Sequence, residues 1–399
     1  MQDLYLFNPD NEISVANGTN GYTPKANIAV MADNLSFLMA YLTGEEDYVL
    51  VSRLPGYDFL ERRREVFGLT CKPILWDRAC LLSFREVRPW GWSPRVHNLL
   101  GELKTRCGER FRQGVMAEWN DERRELYSRQ RARECLEFIR QRLPLVEATV
   151  VPRQCSSLDA IREITGEESV VVKAPWSSSG KGILFIPRGE FTKKEEEIVS
   201  GMLHKQGFVM VEKRLNRILD FAMEFKMDND FQLQYLGFSV FKTGKRGEYE
   251  GNVVASESRL RGMISAYADE EVLERVRELL TEALLEQYRG IYTGYLGVDM
   301  MIYQDEEGRY RVQPCVEINL RYNMGIVALQ LQRHLAEGAE GRFCIRFSAK
   351  AGEIRGSAEE RRKMFPLEIH HGKVVSGYIN LTPVDEESRF VAELIVEKK

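Results

Sequence analysis

The sequence predicts an α+β protein: an α/β unit at the N-terminus, followed by a larger mixed unit of β-hairpins and two amphipathic helices. Three observations carry this. Leu4, Tyr5, Leu6 and Phe7 form a short apolar run, a polar Asn/Gly/Pro-rich loop spans 8–25, and Ile28, Met31, Leu35, Leu38 and Leu42 then recur at alternating spacings of three and four before a second apolar run at 48–51. Strand, loop, helix, strand is the opening of a parallel α/β sheet. Further on, the runs 221–227 and 231–240 flank the turn Asp228, Asn229, Asp230, and the runs 295–303 and 311–321 flank Asp305, Glu306, Glu307, Gly308, two patterns of antiparallel hairpins. Finally, the helical stretches of this second unit, 158–164 and 269–288, are set among β-type runs rather than repeating with them, which separates it from a doubly wound sheet.

Each element has its own signal. The loop 8–25 is long for a connection and sits at a strand end, a common place for a site. Residues 98–142 are helical in pattern and heavily charged, with Glu122, Arg123, Arg124 and Glu125 interleaved as on a solvated face laced with ion pairs. Pro144 and Pro152 bracket an apolar segment, and the first unit ends near residue 120. Ser157 is an N-cap for the helix 158–164, closed by Gly166. Val272, Val276, Leu279 and Ala283 place one apolar stripe between Asp269 and Tyr288. After residue 331 comes a smaller, partly helical tail ending in two strand-like runs, 374–381 and 390–396.

Composition narrows the function. A chain of 399 residues with 44% hydrophobic and 29% charged residues has apolar material for more than one core. Lys plus Arg number 56 against 60 for Asp plus Glu, a net charge of -4, so no overall basic field draws the chain to nucleic acid or acidic lipid. Seven scattered cysteines, never in a CxxC pair, argue against a disulfide framework or a structural zinc site. No basic, apolar leader opens the sequence and no run is long enough to span a bilayer, so a reducing, cytoplasmic setting is expected. His370 and His371 are adjacent, and neighbours on a strand point to opposite faces, so they read as surface or turn residues rather than a metal pair.

Three segments carry chemistry. The run Val170, Val171, Val172 delivers Lys173 at its end, and Ser177, Ser178, Ser179, Gly180, Lys181 and Gly182 follow, a small-residue loop whose backbone N–H groups can approach a polyphosphate. It is not a Walker A loop, since Gly182 stands where Ser or Thr is needed. Alone, the segment fits a phosphate cradle and a flexible hairpin turn equally. The second segment, 208–215, is an apolar strand that breaks into Glu212, Lys213, Arg214 and Leu215; backbone groups on such a strand can pair with an adenine edge, and Glu212 or Asp220 can accept from ribose hydroxyls or an exocyclic amine. A buried strand ending in a solvated turn is the competing reading. The third segment is the most informative. In the hairpin 295–321, Asp299 lies among apolar residues on one arm, while alternation on the other puts Glu317, Asn319 and Arg321 on one face and Val316, Ile318 and Leu320 toward a core. Asp, Glu and Asn oxygens form a hard ligand set suited to Mg2+ with nucleotide phosphates, and Arg321 complements anionic oxygens. Pro314 within that arm implies an edge strand or a bulge.

In this order of parts, residues 120–330 resemble the ATP-grasp superfamily, whose members close two α+β subdomains around ATP. The resemblance implies that Lys173 meets the nucleotide phosphates, that Ser178, Ser179, Gly180, Lys181 and Gly182 form the lid, and that Glu212, Lys213 and Leu215 line the adenine side with Asp220 near the ribose. It also implies that Asp299, Glu317 and Asn319 hold Mg2+, with Arg321 beyond them. The family's early lysine has no counterpart: Arg129 and Arg131 stand there instead. Lys242, Lys245 and Arg259 fall where the family sets further basic residues. The implied organisation is a pre-ATP-grasp α/β domain over 1–119, a first subdomain with the lid over 120–205, a second with the metal site over 206–330, and an extension, 331–399, packing on the grasp domain.

The function so implied is an ATP-dependent carboxylate-amine ligase acting through an acyl phosphate, with Lys173, Lys181 and Arg321 as catalytic residues and ATP and Mg2+ as cofactors. Its partners are a small carboxylate and an amine, with a homodimer left open. A small-molecule kinase using the same apparatus, and a non-catalytic ATP-binding protein, are the alternatives.

Overall fold

The computed structural model describes residues 1–177, 182–244 and 247–398. The chain divides into two compact units, one made of Met1–Trp119, Glu250–Leu260 and Arg321–Lys399, the other of Asn120–Tyr249 and Arg261–Leu320.

The first unit opens with a parallel sheet of Leu4–Leu6 (β1), Tyr48–Leu50 (β2), Lys72–Ile74 (β3) and Val87–Pro89 (β4) in the order β3-β2-β1-β4. Pro73, which has no N–H to give a ladder, lies on the edge strand β3. The stripe from Ile28 to Leu42 is helical over Ala26–Leu35 and tightens into a 3-10 turn over Ser36–Leu42, where Phe37, Leu38, Met39 and Ala40 are all buried. A 3-10 segment turns faster than an α-helix, so a continuous apolar run there meets the core on successive residues.

The second unit holds two antiparallel sheets. Arg153–Cys155 (β5), Val170–Lys173 (β6), Ile183–Ile186 (β7) and Val209–Lys213 (β8) run in the order β5-β8-β6-β7. The helices Leu158–Glu167 and Lys193–Gln206 cover one face, with Ile161, Ile164, Val170, Val172, Val199, Val209 and Val211 in a common core. Thr192 and Glu195 close a reciprocal capping box on the second helix. The other sheet is built from Asn216–Met227 (β9) and Leu233–Thr243 (β10), followed in the chain by Tyr249–Val254 (β11), then from Gly294–Gln304 (β12) and Tyr310–Asn319 (β13); its order in this unit is β13-β12-β9-β10. The helix Arg129–Arg142 lies against β13, and Glu270–Tyr288 packs on that helix.

The C-terminal part returns to the first unit. Gly341–Phe347 (β14), Glu368–His370 (β15), Lys373–Asn380 (β16) and Phe390–Val396 (β17) form with β11 the order β11-β14-β17-β16-β15. This differs from an extension laid on the grasp domain: the segment is built into the unit of residues 1–119. Tyr41 donates to the carbonyl of Leu381 at 2.9 Å, and the Asn34 side chain accepts from the backbone of Arg389 and Phe390 at 2.8 and 3.1 Å. Two further details differ from expectation. Residues 98–142 form several short helices, capped anew at Asn120 and Ser128, rather than one charged helix. Gly166 lies inside the last turn of Leu158–Glu167, which ends on an extended Glu168. Among the described residues, no helix is long and apolar enough to cross a membrane.

Candidate functional site

The hairpin β12–β13 sets three of the expected oxygens side by side. Asp299 lies directly opposite Glu317, and Gly297 opposite Asn319. Opposed residues on an antiparallel pair share a face, and so do residues two apart on one strand, so Asp299, Glu317 and Asn319 project together. The Asn319 amide donates to Asp299 Oδ2 at 3.0 Å. Below this trio the ladder slips: between the pairs Asp299/Glu317 and Met301/Gln313, β12 has Met300 alone whereas β13 has Pro314, Cys315 and Val316. Pro314 thus combines both expectations, a bulge on an edge strand. Val316 and Ile318 are half-buried, because a strand at the sheet edge has no neighbour on one side to cover them.

Lys173 ends β6, with Met210 of β8 as its partner and Glu212 opposite Val171. Lys173 and Glu212 therefore share a face diagonally, and Lys173 Nζ sits 2.5 Å from Glu212 Oε2, the two side chains 8% and 16% exposed. Lys213, on the other face, reaches Glu306 in the β12–β13 turn at 2.8 Å. Leu215 is half-buried in the link to β9. Asp220 accepts from Thr243 Oγ1 at 2.6 Å and from Arg217 at 3.0 Å; burial holds its carboxyl above the ordinary range despite both donors. Gly182 has a φ of 74°, and its carbonyl accepts from the backbone of Ala174 at 2.8 Å. A Cβ there would meet Ser177 Cβ at 2.9 Å, so a glycine is required for this return of the chain.

A guanidinium joins the two groups. Ser128 caps the helix Arg129–Arg142, and the backbone N–H of Arg129 donates to the carbonyl of Pro175 at 3.0 Å. The Arg129 side chain, 7% exposed, reaches Glu317 Oε1 at 2.8 Å and Ser177 Oγ at 3.2 Å through Nη2. Among the described residues, its buried Nε and Nη1 have no hydrogen-bond partner. Arg131, by contrast, pairs with Glu134 on the exposed side of the helix. Cys315 lies buried beside Cys135, and burial drives its thiol far above the ordinary range.

Several expected residues stand elsewhere. Arg321 does not continue the face of Glu317 and Asn319, because β13 ends at Asn319 and alternation ends with it. It belongs to the first unit, where it pairs with Glu12 at 2.6 Å and donates to the carbonyl of Tyr322 at 3.1 Å. Arg259, also of the first unit, pairs with Glu340 at 3.0 Å. Ser178, Ser179, Gly180, Lys181 and Lys245 lie outside the described residues. His370 and His371 are exposed, with His371 in a turn at positive φ.

One residue escaped the sequence reading. Glu224 on β9 lies opposite Gly297, which puts it on the face of Asp299 and Asn319 with no side chain between; it is 1% exposed and accepts from Ser239 Oγ at 2.8 Å. Its signal was the one used for Asp299, an acid inside an apolar run, here Phe221, Ala222, Met223, Glu224, Phe225. Among the described residues, no three His, Cys, Asp or Glu side chains converge as a complete metal cage. Two carboxylates and an amide oxygen suit a hard dication that takes its remaining ligands from phosphate and water.

No protein-family model matches the chain, and no curated protein matches it. Solved structures do. A biotin carboxylase–β,γ-ATP complex from Campylobacter jejuni matches with a TM-score of 0.52 and 11% identity over 99% of this chain and 87% of that one. An N5-carboxyaminoimidazole synthetase from Staphylococcus aureus matches with a TM-score of 0.51 and 11% identity over 100% of this chain and 94% of that one. The chain has the fold of these proteins from end to end, the ATP-grasp fold with a preceding α/β domain that the sequence resemblance implies.

Proposed function

We propose that the protein is an ATP-dependent carboxylate-amine ligase acting on small molecules, with Mg2+ as its metal. The observation that carries this reading is the single sheet face bearing Asp299, Glu317 and Asn319, met by the buried guanidinium of Arg129, with the buried Lys173–Glu212 pair in the same unit. A buried cation on a carboxylate beside further oxygens suits a ligand that carries both a dication and a polyanion. The fold shared with a biotin carboxylase whose complex holds β,γ-ATP supports a nucleotide as that ligand.

MgATP would supply the terminal phosphoryl group, taken by a substrate carboxylate to give an acyl phosphate and ADP, after which an amine displaces phosphate and forms the amide. The chain's own work is placement and charge. Asp299, Glu317 and Asn319 would present oxygens to the metal, with Glu224, buried and bonded to Ser239, on the same face. Lys173 and Arg129 present N–H donors to phosphate oxygens. Past Val211, where β5 stops pairing with it, the strand would offer the backbone of Glu212 and Lys213 to the adenine edge, with Leu215 beside them, and Asp220 would reach the ribose. No side chain forms a bond to the substrate, so the rate gain comes from holding reactants in line and from donors fixed in advance.

The test is ADP release by the purified protein with MgATP and mixtures of carboxylic acids and amines, with products followed by mass. The expected product gains the mass of acid plus amine less water, and Asp299→Asn lowers turnover by at least about 100-fold with the fold retained. A product with added phosphate on a hydroxyl would identify a kinase instead; an Asp299→Asn variant as active as wild type would remove that residue from the chemistry.

A further inference from the structure

The cation on Glu317 in this structure is the guanidinium of Arg129, 2.8 Å from Oε1. Glu317 is also a proposed metal ligand. A dication and a guanidinium on one carboxylate repel each other, and Arg129 already takes Oε1. Arg129 has somewhere to go. Among the described residues its buried Nε and Nη1 have no acceptor, and its Nη2 meets Glu317 and the Ser177 hydroxyl. Buried N–H donors left unmade are an unfavourable feature that an anion with several oxygens would satisfy, and a guanidinium binds phosphate oxygens in a fork that a lysine cannot offer. The backbone of Arg129 stays anchored meanwhile by the Ser128 cap and by Pro175.

We propose that Arg129 is a transferable counter-ion: without ligand it neutralises Glu317, and a nucleotide polyphosphate draws its guanidinium away, freeing the carboxylate for Mg2+. The inference rests on the nucleotide reading above and adds to it a rule of order. Phosphate and metal become mutually dependent, each favouring the arrangement that admits the other. Free polyphosphate is disfavoured because taking Arg129 leaves Glu317, 26% exposed, without its counter-charge, and free Mg2+ is disfavoured because Arg129 already holds its ligand.

A sign follows that a plain metal-ligand role would not give. Removing the charge of Glu317 releases Arg129, so Glu317→Gln should bind ADP more tightly than wild type when metal is absent. Calorimetric titration of the full chain with ADP in EDTA should show at least about a tenfold gain in affinity for Glu317→Gln. With Mg2+ added, wild-type affinity for ADP should rise by about 10- to 100-fold while the variant changes little. A second variant, Arg129→Met, should weaken metal-free ADP binding and tighten Mn2+ binding measured without nucleotide, and it serves as the test alone should Glu317→Gln not fold. Equal metal-free ADP affinity in wild type and Glu317→Gln, with Mg2+-dependent binding intact in wild type, overturns the inference and leaves the nucleotide reading standing. Unchanged Mn2+ affinity in Arg129→Met also overturns it. Absence of ADP binding by wild type with Mg2+ overturns both.

Discussion

Glu212→Gln isolates the other buried ion pair. Lys173 is 8% exposed and has Glu212 Oε2 at 2.5 Å. Neutralising Glu212 leaves an ammonium, 8% exposed, without the carboxylate that shares its sheet face. Removing one partner of a buried pair costs about 3–5 kcal/mol, and the 16% exposure of Glu212 admits some water, which lowers the expectation to about 2–4 kcal/mol. For a unit of this size, each kcal/mol is about 2–4 °C of unfolding midpoint, so a loss near 3 kcal/mol is roughly 6–12 °C.

The same variant asks what the lysine is for. If phosphate oxygens take over Lys173 in the complex, the unpaired charge disappears when nucleotide binds. Wild type at about 100 times its Kd gains about 2.7 kcal/mol from ligand alone. Glu212→Gln should gain more, since the ligand also satisfies the stranded ammonium. Thermal unfolding with and without ADP and Mg2+ measures both shifts. The double variant Lys173→Met with Glu212→Leu removes the pair together; it should unfold near the wild-type midpoint, because an apolar pair of similar volume is a fair replacement for a buried ion pair, but its nucleotide shift should be largely lost. A Glu212→Gln midpoint within about 1 °C of wild type would refute the burial argument. An undiminished nucleotide shift in the double variant would refute the role of Lys173.

Two further outcomes follow from local geometry. Gly182→Ala forces a left-handed φ of 74° on an L side chain and sets its Cβ 2.9 Å from that of Ser177, so it should lower stability by about 1–2 kcal/mol in thermal unfolding and weaken ADP binding more than a surface Gly→Ala; an unchanged midpoint would show that the turn relaxes without strain. At the β12–β13 turn, burial alone would raise the Asp305 carboxyl, yet the backbone N–H of Arg309 and the guanidinia of Arg309 and Arg311 outweigh it and hold the group down to about 2. A depressed carboxylate contributes stability that is complete above its unfolded pKa near 3.9 and fades as pH falls toward 2, so the urea midpoints of wild type and Asp305→Asn should differ at pH 6 and converge by about pH 2. A gap that keeps its size over that window would contradict the assignment.

How much of this was legible in the chain depends on the range of the interaction that decides each point. The pairing of Asp299 with Glu317 and Asn319 could be read because period-2 alternation, an acidic turn and acids within apolar runs are all local. Arg321 failed for a reason equally local but invisible in composition. Alternation was carried two residues past Asn319, where the strand stops and a bend begins. Arg129 and Arg131 both stood where the family has its early lysine and the sequence did not separate them; the approach of β13 and Pro175 to the helix start buries Arg129. The tail 331–399 was misplaced because nothing near it in sequence records that Asn34 and Tyr41 bond its backbone from more than 300 residues away. Glu224 needed a register, since an acid on a hairpin arm joins the site only once the partner across from it is known to be Gly297.

Taken together, the pairings explain why a site rich in charge can fold without its ligands. Lys173 is neutralised by Glu212, Arg129 by Glu317, and Asp299 receives the Asn319 amide, so each strong group of the ligand-free face has an internal partner. Bare buried charges would be far too unfavourable to assemble, and fully satisfied pairs would leave nothing to recognise. The arrangement lies between these limits, because among the described residues Arg129 meets Glu317 through one nitrogen and keeps two buried nitrogens without acceptors. A pure anion can replace the carboxylates around Arg129 and Lys173 only by stranding Glu317 and Glu212, and a pure cation strands the basic residues in turn. A ligand carrying both signs strands neither, so the internal pairing itself selects a metal-polyphosphate over its separate parts.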